Sequence, residues 1–133
     1  MTIHLSAEDV PAFLARFWNF GDAVVRRVAI ELTRDRPSRL AVVEVLARDS
    51  TASDQWVTCR LTMRRLAEFR VTEGRTSYQV LSGGLQIAWQ DGIVFVDFGS
   101  DTELLGDAEA FRGSAFYFGC SSIEWEVRPY DAT

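Results

Sequence analysis

Apolar positions recur with a helical period near the start of the chain and with a period of two thereafter. Phe13, Leu14, Phe17 and Trp18 stand at i, i+1, i+4 and i+5, the spacing of an apolar stripe on a helix that lies against a sheet. Upstream, Ser6-Ala7-Glu8-Asp9 has the form of a capping box. Pro11 fits such a helix only in its first turn, where its missing N–H is not needed. Asn19 and Gly21 predict the end of the helix.

From Ala23 onward the pattern is that of strands. Val24, Val28, Ile30 and Leu32 share one face, with Arg27 and Glu31 on the other, as a half-buried strand requires. A polar Arg-Asp-Arg-Pro-Ser connection at 34–38 leads to a second strand at 40–46, and the two predict a hairpin. After a turn-rich loop at 49–54, Val57, Cys59, Leu61 and Met63 alternate with Trp56, Thr58, Arg60 and Thr62, so Cys59 reads as a core position. Residues 64–71 suit a strand or a short helix, and 78–81 a strand or one helical turn. Leu85, Ile87 and Trp89 alternate with Gln86 and Gln90, and Asp91-Gly92 is a strong hairpin turn returning into 93–98. The last strands are 116–118 and 123–127, with Ile123, Trp125 and Val127 inward and Glu124 and Glu126 outward.

The fold class expected is mostly β (α+β): one N-terminal helix packed on six to eight mainly antiparallel strands, in a sandwich or a partly open barrel. The core expected from these phases is Phe13, Phe17, Val28, Ile30, Val43, Val45, Val57, Cys59, Leu61, Ile87, Trp89, Val94, Val96, Phe118, Ile123, Trp125 and Val127. With 133 residues and no repeat or linker-like tract, 1–133 reads as a single domain able to bury a core of its own. No apolar run approaches the roughly 18 residues of a membrane helix. The first ten residues lack the basic-then-apolar order of a secretory signal, so the cytosol is the expected compartment.

Charge adds a second layer. All 14 cationic residues are Arg, against 19 acids, for a net charge of −5, which argues against general nucleic-acid binding. The imbalance is local. Residues 16–75 carry 12 Arg against 8 acids, whereas 76–133 carry 2 Arg against 9 acids. Between Thr76 and Phe111 stand Asp91, Asp97, Asp101, Glu103, Asp107 and Glu109 with no basic residue. The stretch reads either as a solvated acidic loop or as a surface that docks a basic partner.

Catalytic equipment is sparse. His4 is the only histidine, Cys59 and Cys120 are the only cysteines, and neither metal-ligand spacings nor nucleophile, phosphate-loop or dinucleotide motifs occur. The two thiols read as buried and reduced, and no cofactor or metal is expected. Asp97 shares a strand face with Ile93 and Phe95, where it either caps the turn at Gly99-Ser100 or serves as a catalytic carboxylate. Of the four tryptophans, Trp56 falls on the polar face with Thr58, Arg60 and Thr62 and is the best candidate for an exposed binding aromatic.

Four features resemble immunity protein family 50 of bacterial polymorphic toxin systems. They are the aromatic segment Phe17-Trp18-Asn19-Phe20-Gly21-Asp22-Ala23, the hairpin of 24–32 and 40–46, the 66–71 segment, and the closing Phe118-Gly119-Cys120-Ser121-Ser122-Ile123-Glu124-Trp125-Glu126-Val127. Where the family carries His-Asp, this chain has Gly21-Asp22. The resemblance spans about residues 13–128 and implies a non-enzymatic protein that binds and blocks a toxin. Trp56, Asp101, Glu103, Asp107 and Glu109 are then the candidate contacts to a basic toxin domain. Two alternatives stand beside this expectation: a small-molecule binder with an aromatic cavity, and a carboxylate-dependent enzyme around Asp97.

Overall fold

A computed structural model, which describes residues 2–72, 80–81, 83–99 and 107–130, arranges the chain as two antiparallel sheets that do not close into a barrel. The larger contains β1 (Ile3–Leu5), β2 (Val24–Glu31), β3 (Leu40–Asp49), β4 (Gln55–Arg64) and β9 (Ser122–Pro129), in the order β1-β9-β4-β3-β2. The smaller contains β5 (Glu68–Val71), β6 (Gln86–Gln90), β7 (Ile93–Asp97) and β8 (Phe116–Cys120), in the order β5-β8-β7-β6. Helix α1 (Val10–Arg16) follows β1, and α2 (Ala108–Arg112) precedes β8. The expected α+β sandwich is therefore the fold. No helix among the described residues is long and apolar enough to cross a membrane.

The main core lies between the sheets. β3 contributes Ala41, Val43, Val45 and Ala47, and β4 contributes Val57, Cys59, Leu61 and Met63. Val94, Val96, Phe116, Phe118 and Cys120 face them from the smaller sheet. Period-two alternation produces this arrangement directly, since successive side chains of a strand point to opposite faces. Helix α1 adds Phe13 and, at its end, Phe17, whose rings lie 5.0 and 5.8 Å from that of Trp125. Pro11 sits in the first turn of α1, as its missing donor demands.

Several positions depart from the sequence pattern, each for a local reason. A β-bulge lies between Val25 and Arg27, so Val25 opposes Val45 while Val28 opposes Val43. The extra residue, Arg26, reverses the phase. Val25 enters the core, whereas Val24 pairs with Leu46 on the opposite face. Val28 and Ile30 are half-buried at this edge strand, and Leu32 lies beyond it, exposed. Trp89 is exposed rather than buried, because β6 is the edge of the smaller sheet and is flanked on one side alone. Trp18, read as part of the helical stripe, is 58% exposed because α1 stops at Arg16. The ambiguous 64–71 segment contains strand β5. Of 78–81, residues 78 and 79 lie outside the described residues, and Val80 makes an isolated bridge to Val24.

Two elements had no counterpart in the pattern. β1 is three residues long, too short for a periodicity, and pairs its Ile3 and Leu5 with Trp125 and Ile123. α2 lies inside the stretch read as an acidic loop. Its Ala108 and Phe111 cover Phe95 and Tyr117 on the outer face of the smaller sheet, forming a second, minor cluster.

Candidate functional site

Two loops at one end of the larger sheet hold an unusual concentration of left-handed backbone. Trp18, Asn19, Phe20 and Asp22 have φ of 54–61°, and Ser53 and Asp54 have 56° and 60°. Non-glycine residues rarely adopt this conformation, which persists only where the surroundings impose it. Here they do. Phe20 is fully buried, its ring 5.2 Å from Phe17 and 5.4 Å from Phe13, and so anchors the first loop in the core. Backbone bonds brace the same loop against Leu81 and Leu85: Asp22 N donates to Leu81 O, Leu81 N to Ala23 O, and Leu85 N to Asn19 O.

With Phe20 turned inward, Trp18 is turned outward. Its indole Nε1 donates to Asp54 Oδ1 at 2.9 Å, linking the first loop to the β3–β4 turn. That turn is organised by Asp49, whose Oδ1 accepts from Thr51 N and Thr51 Oγ1 at 3.0 and 2.7 Å. Asp49 also accepts two bonds from Arg16. The Arg16 guanidinium beside it lowers the Asp49 carboxyl to about 2, with the Thr51 bonds adding to the effect. Two residues beyond Asp54, Trp56 stands on the outer face of β4 with the Arg48 guanidinium 5.2 Å from the centre of its ring. Tyr130, one register position past the Val57–Pro129 pair, is also exposed.

Exposed indole, arginine and tyrosine side chains are the residue types that dominate binding hot spots. The local chemistry favours contact over proton transfer. Asp54 is occupied by an indole N–H, and a carboxylate that stays ionised down to about pH 2, as Asp49 does, is a poor proton donor near neutrality. Trp18 escaped the sequence pattern because its spacing fits a helical stripe. The signal was the run Asn19-Phe20-Gly21-Asp22, rich in residues that tolerate left-handed turns.

The other candidate residues are dispersed. Asp101 and Glu103 lie outside the described residues. Asp107 is the N-cap of α2, its Oδ1 accepting from Glu109 N at 3.0 Å. Glu109 is exposed and pairs with Arg112 at 3.0 Å. Asp97 is fully buried at the end of β7, where its Oδ1 accepts from Gly99 N at 3.3 Å, the turn-capping arrangement. Cys59 and Cys120 are buried, and burial raises both thiols, Cys120 to about 12. Among the described residues no three His, Cys, Asp or Glu side chains are grouped to hold a metal ion.

A polar network that the sequence did not announce fastens α2. Arg112 forks onto Glu68 at 2.8 and 3.1 Å, and Tyr117 Oη donates to Glu68 Oε1 at 3.0 Å. The Arg112 bonds lower the Glu68 carboxyl, while burial and then the bond to Glu68 raise the Tyr117 phenol. These residues lie 44 and 49 positions apart along the chain, beyond the reach of any local motif. Set against known protein families, curated proteins and solved structures, the chain finds no match in any of the three.

Proposed function

We propose that this chain is a non-enzymatic binding protein, an inhibitor of the immunity type that docks on a partner protein through the corner formed by Trp18, Asp54, Trp56 and Arg48. The observation that carries this reading is the exposure of two indoles, Trp18 on a loop braced by backbone bonds and Trp56 on strand β4 beside the Arg48 guanidinium. Trp18 is 58% and Trp56 38% exposed. A large aromatic that is ordered before binding loses little conformational entropy when it is covered, which is why such residues anchor interfaces. Two side chains of the acidic stretch are already engaged within the fold, Asp97 in a turn and Asp107 in a helix cap. Trp18 and Trp56, rather than the carboxylates, therefore make the main contact.

The test is calorimetric titration of the protein encoded by the adjacent gene against wild type, Trp18→Ala and Trp56→Ala. Each truncation should weaken binding by about 2 kcal/mol or more, the range of a hot-spot residue. Unchanged affinity in both variants would remove the corner from the interface.

A second reading has one observation in its favour. A cleft of about 240 Å³ between β1 and α1 has Phe13 and Trp125 on its floor and His4, Asp9 and Arg16 around it, as a small aromatic ligand would require. Saturable quenching of tryptophan fluorescence by planar aromatic acids, lost in Ala12→Trp, would favour it.

A further inference from the structure

The far end of the larger sheet carries a group of arginines. There the outer-face row Leu40–Arg64–Ser122, contributed by β3, β4 and β9, borders a recess of about 210 Å³. Ser38 and Arg39 flank it on one side and Arg65 on the other. Two backbone bonds fix these walls: Leu66 N donates to Arg39 O and Ser121 N to Arg64 O, both at 3.0 Å. Arg65 is held with φ of 52°, another left-handed non-glycine residue at a strand end.

Three arginines thus line one small recess in a chain whose net charge is −5. Their partners leave the cluster positive. Arg64 Nε donates to Glu124 Oε1 at 2.9 Å. Arg39 Nε donates to the neutral Thr33 carbonyl at 2.9 Å. Arg65 forms no ion pair with any described residue. Ser38 Oγ donates to Asp35 Oδ2 at 2.7 Å, which places one further carboxylate behind the wall. Like charges held together repel, and a compact doubly charged anion is the ligand that best offsets this. Guanidinium forks match phosphate oxygens in pairs, and the Ser122 hydroxyl adds a donor.

We propose that this recess binds a phosphate dianion, either free or as a small monoester. The site is independent of the aromatic corner. Trp56 and Arg64 are eight residues apart on one strand, about 26 Å at the usual rise.

The experiment titrates the full chain with inorganic phosphate, phenyl phosphate, glutarate and sodium chloride at matched ionic strength. Binding is read by the phosphorus resonance of the two phosphates and by the melting temperature with all four. The variants are Arg65→Gln and Arg39→Gln, with Arg26→Gln as a control outside the recess, and circular dichroism checks that each is folded. Saturable binding of at least one phosphate, weakened about tenfold or more in each recess variant and unchanged in Arg26→Gln, is the expected result. Phosphate binding without phenyl phosphate binding assigns the site to the free ion, and the converse to the ester. An effect no larger than that of sodium chloride, equal binding of glutarate, or binding retained in both recess variants would overturn the proposal.

Discussion

Arg16 and Asp49 meet in a two-pronged ion pair, with Nε–Oδ1 at 3.0 Å and Nη2–Oδ2 at 2.9 Å, that ties the last residue of α1 to the last residue of β3. Two residues beyond Arg16, Trp18 repeats the connection by bonding Asp54, five residues beyond Asp49. The helix end is thus fastened twice to one turn, and the Arg16 guanidinium also lies 5.0 and 5.2 Å from the ring centres of Phe17 and Trp125. A buried ion pair adds little net stability over an apolar pair of the same shape, but breaking half of it is expensive. Its effect here is positional: it sets where the exposed indole stands.

That pair gives the fold a specific acid sensitivity. The Asp49 carboxyl is lowered from 3.8 to about 2 in the folded chain, so the folded state binds this proton less tightly than the unfolded state does. The stabilisation is complete above about pH 4 and is lost as pH falls from there towards 2, amounting to at most about 2 kcal/mol. Urea unfolding between pH 2 and 6 should show this loss in wild type and a flatter acid limb in Asp49→Asn. Identical slopes in the two proteins would mean that Asp49 is not ionised against Arg16.

Gly84 and Gly92 share a left-handed backbone but differ in what surrounds them. At Gly84, with φ of 75°, an added Cβ would stand 2.4 Å from the Asn19 carbonyl oxygen, an impossible approach to backbone. At Gly92, with φ of 78°, nothing lies within 4 Å of such an atom. Gly92→Ala should therefore cost only the conformational term of about 1 kcal/mol. Gly84→Ala should cost clearly more and, by displacing Asn19, change the fluorescence of neighbouring Trp18. Equal melting temperatures for the two variants would contradict the packing of Gly84 against Asn19 in the first loop.

The thiols offer a probe of the core. Cys59 and Cys120 are both fully buried, with their titration shifted upward by burial. A thiol reagent at neutral pH should label the native chain slowly and the urea-unfolded chain rapidly at both positions. Fast labelling of Cys59 in the native state would place the inward face of β4 on the wrong side.

What could be read in advance follows the range over which each signal acts. The alternation of Val57 to Met63 fixed the phase of β4, and Asp91-Gly92, with φ of 53° and 78°, formed the turn that dipeptide favours. Local periodicity carries no information about a bulge, so Arg26 displaced Val24 from the core unannounced. It is equally silent about sheet edges, which decide whether an inward position is covered. The candidate corner was half legible. Trp56 stood out as an aromatic among polar neighbours, but Trp18 required knowing that Asp54, 36 residues away, would receive its N–H. The Arg39–Arg65 recess likewise exists only once two connections meet.

Trp89 and Trp125 test that distinction between phase and position. Both alternate onto apolar strand faces, and sequence pattern alone places both in the core. Trp125 is 8% exposed, lies on β9 between β1 and β4, and contacts Phe13 and Phe17. Trp89 is 36% exposed on the edge strand β6. Truncating Trp125 to Ala removes a large ring from a packed cluster and should destabilise the fold by about 3–5 kcal/mol, the usual consequence of an aromatic cavity. Truncating Trp89 removes a ring that water already reaches on one side, and the loss should be roughly half of that or less. Denaturant midpoints of the two variants measured side by side decide the matter. If Trp89→Ala is as destabilising as Trp125→Ala, then β6 is covered by another part of the chain and is not a true edge.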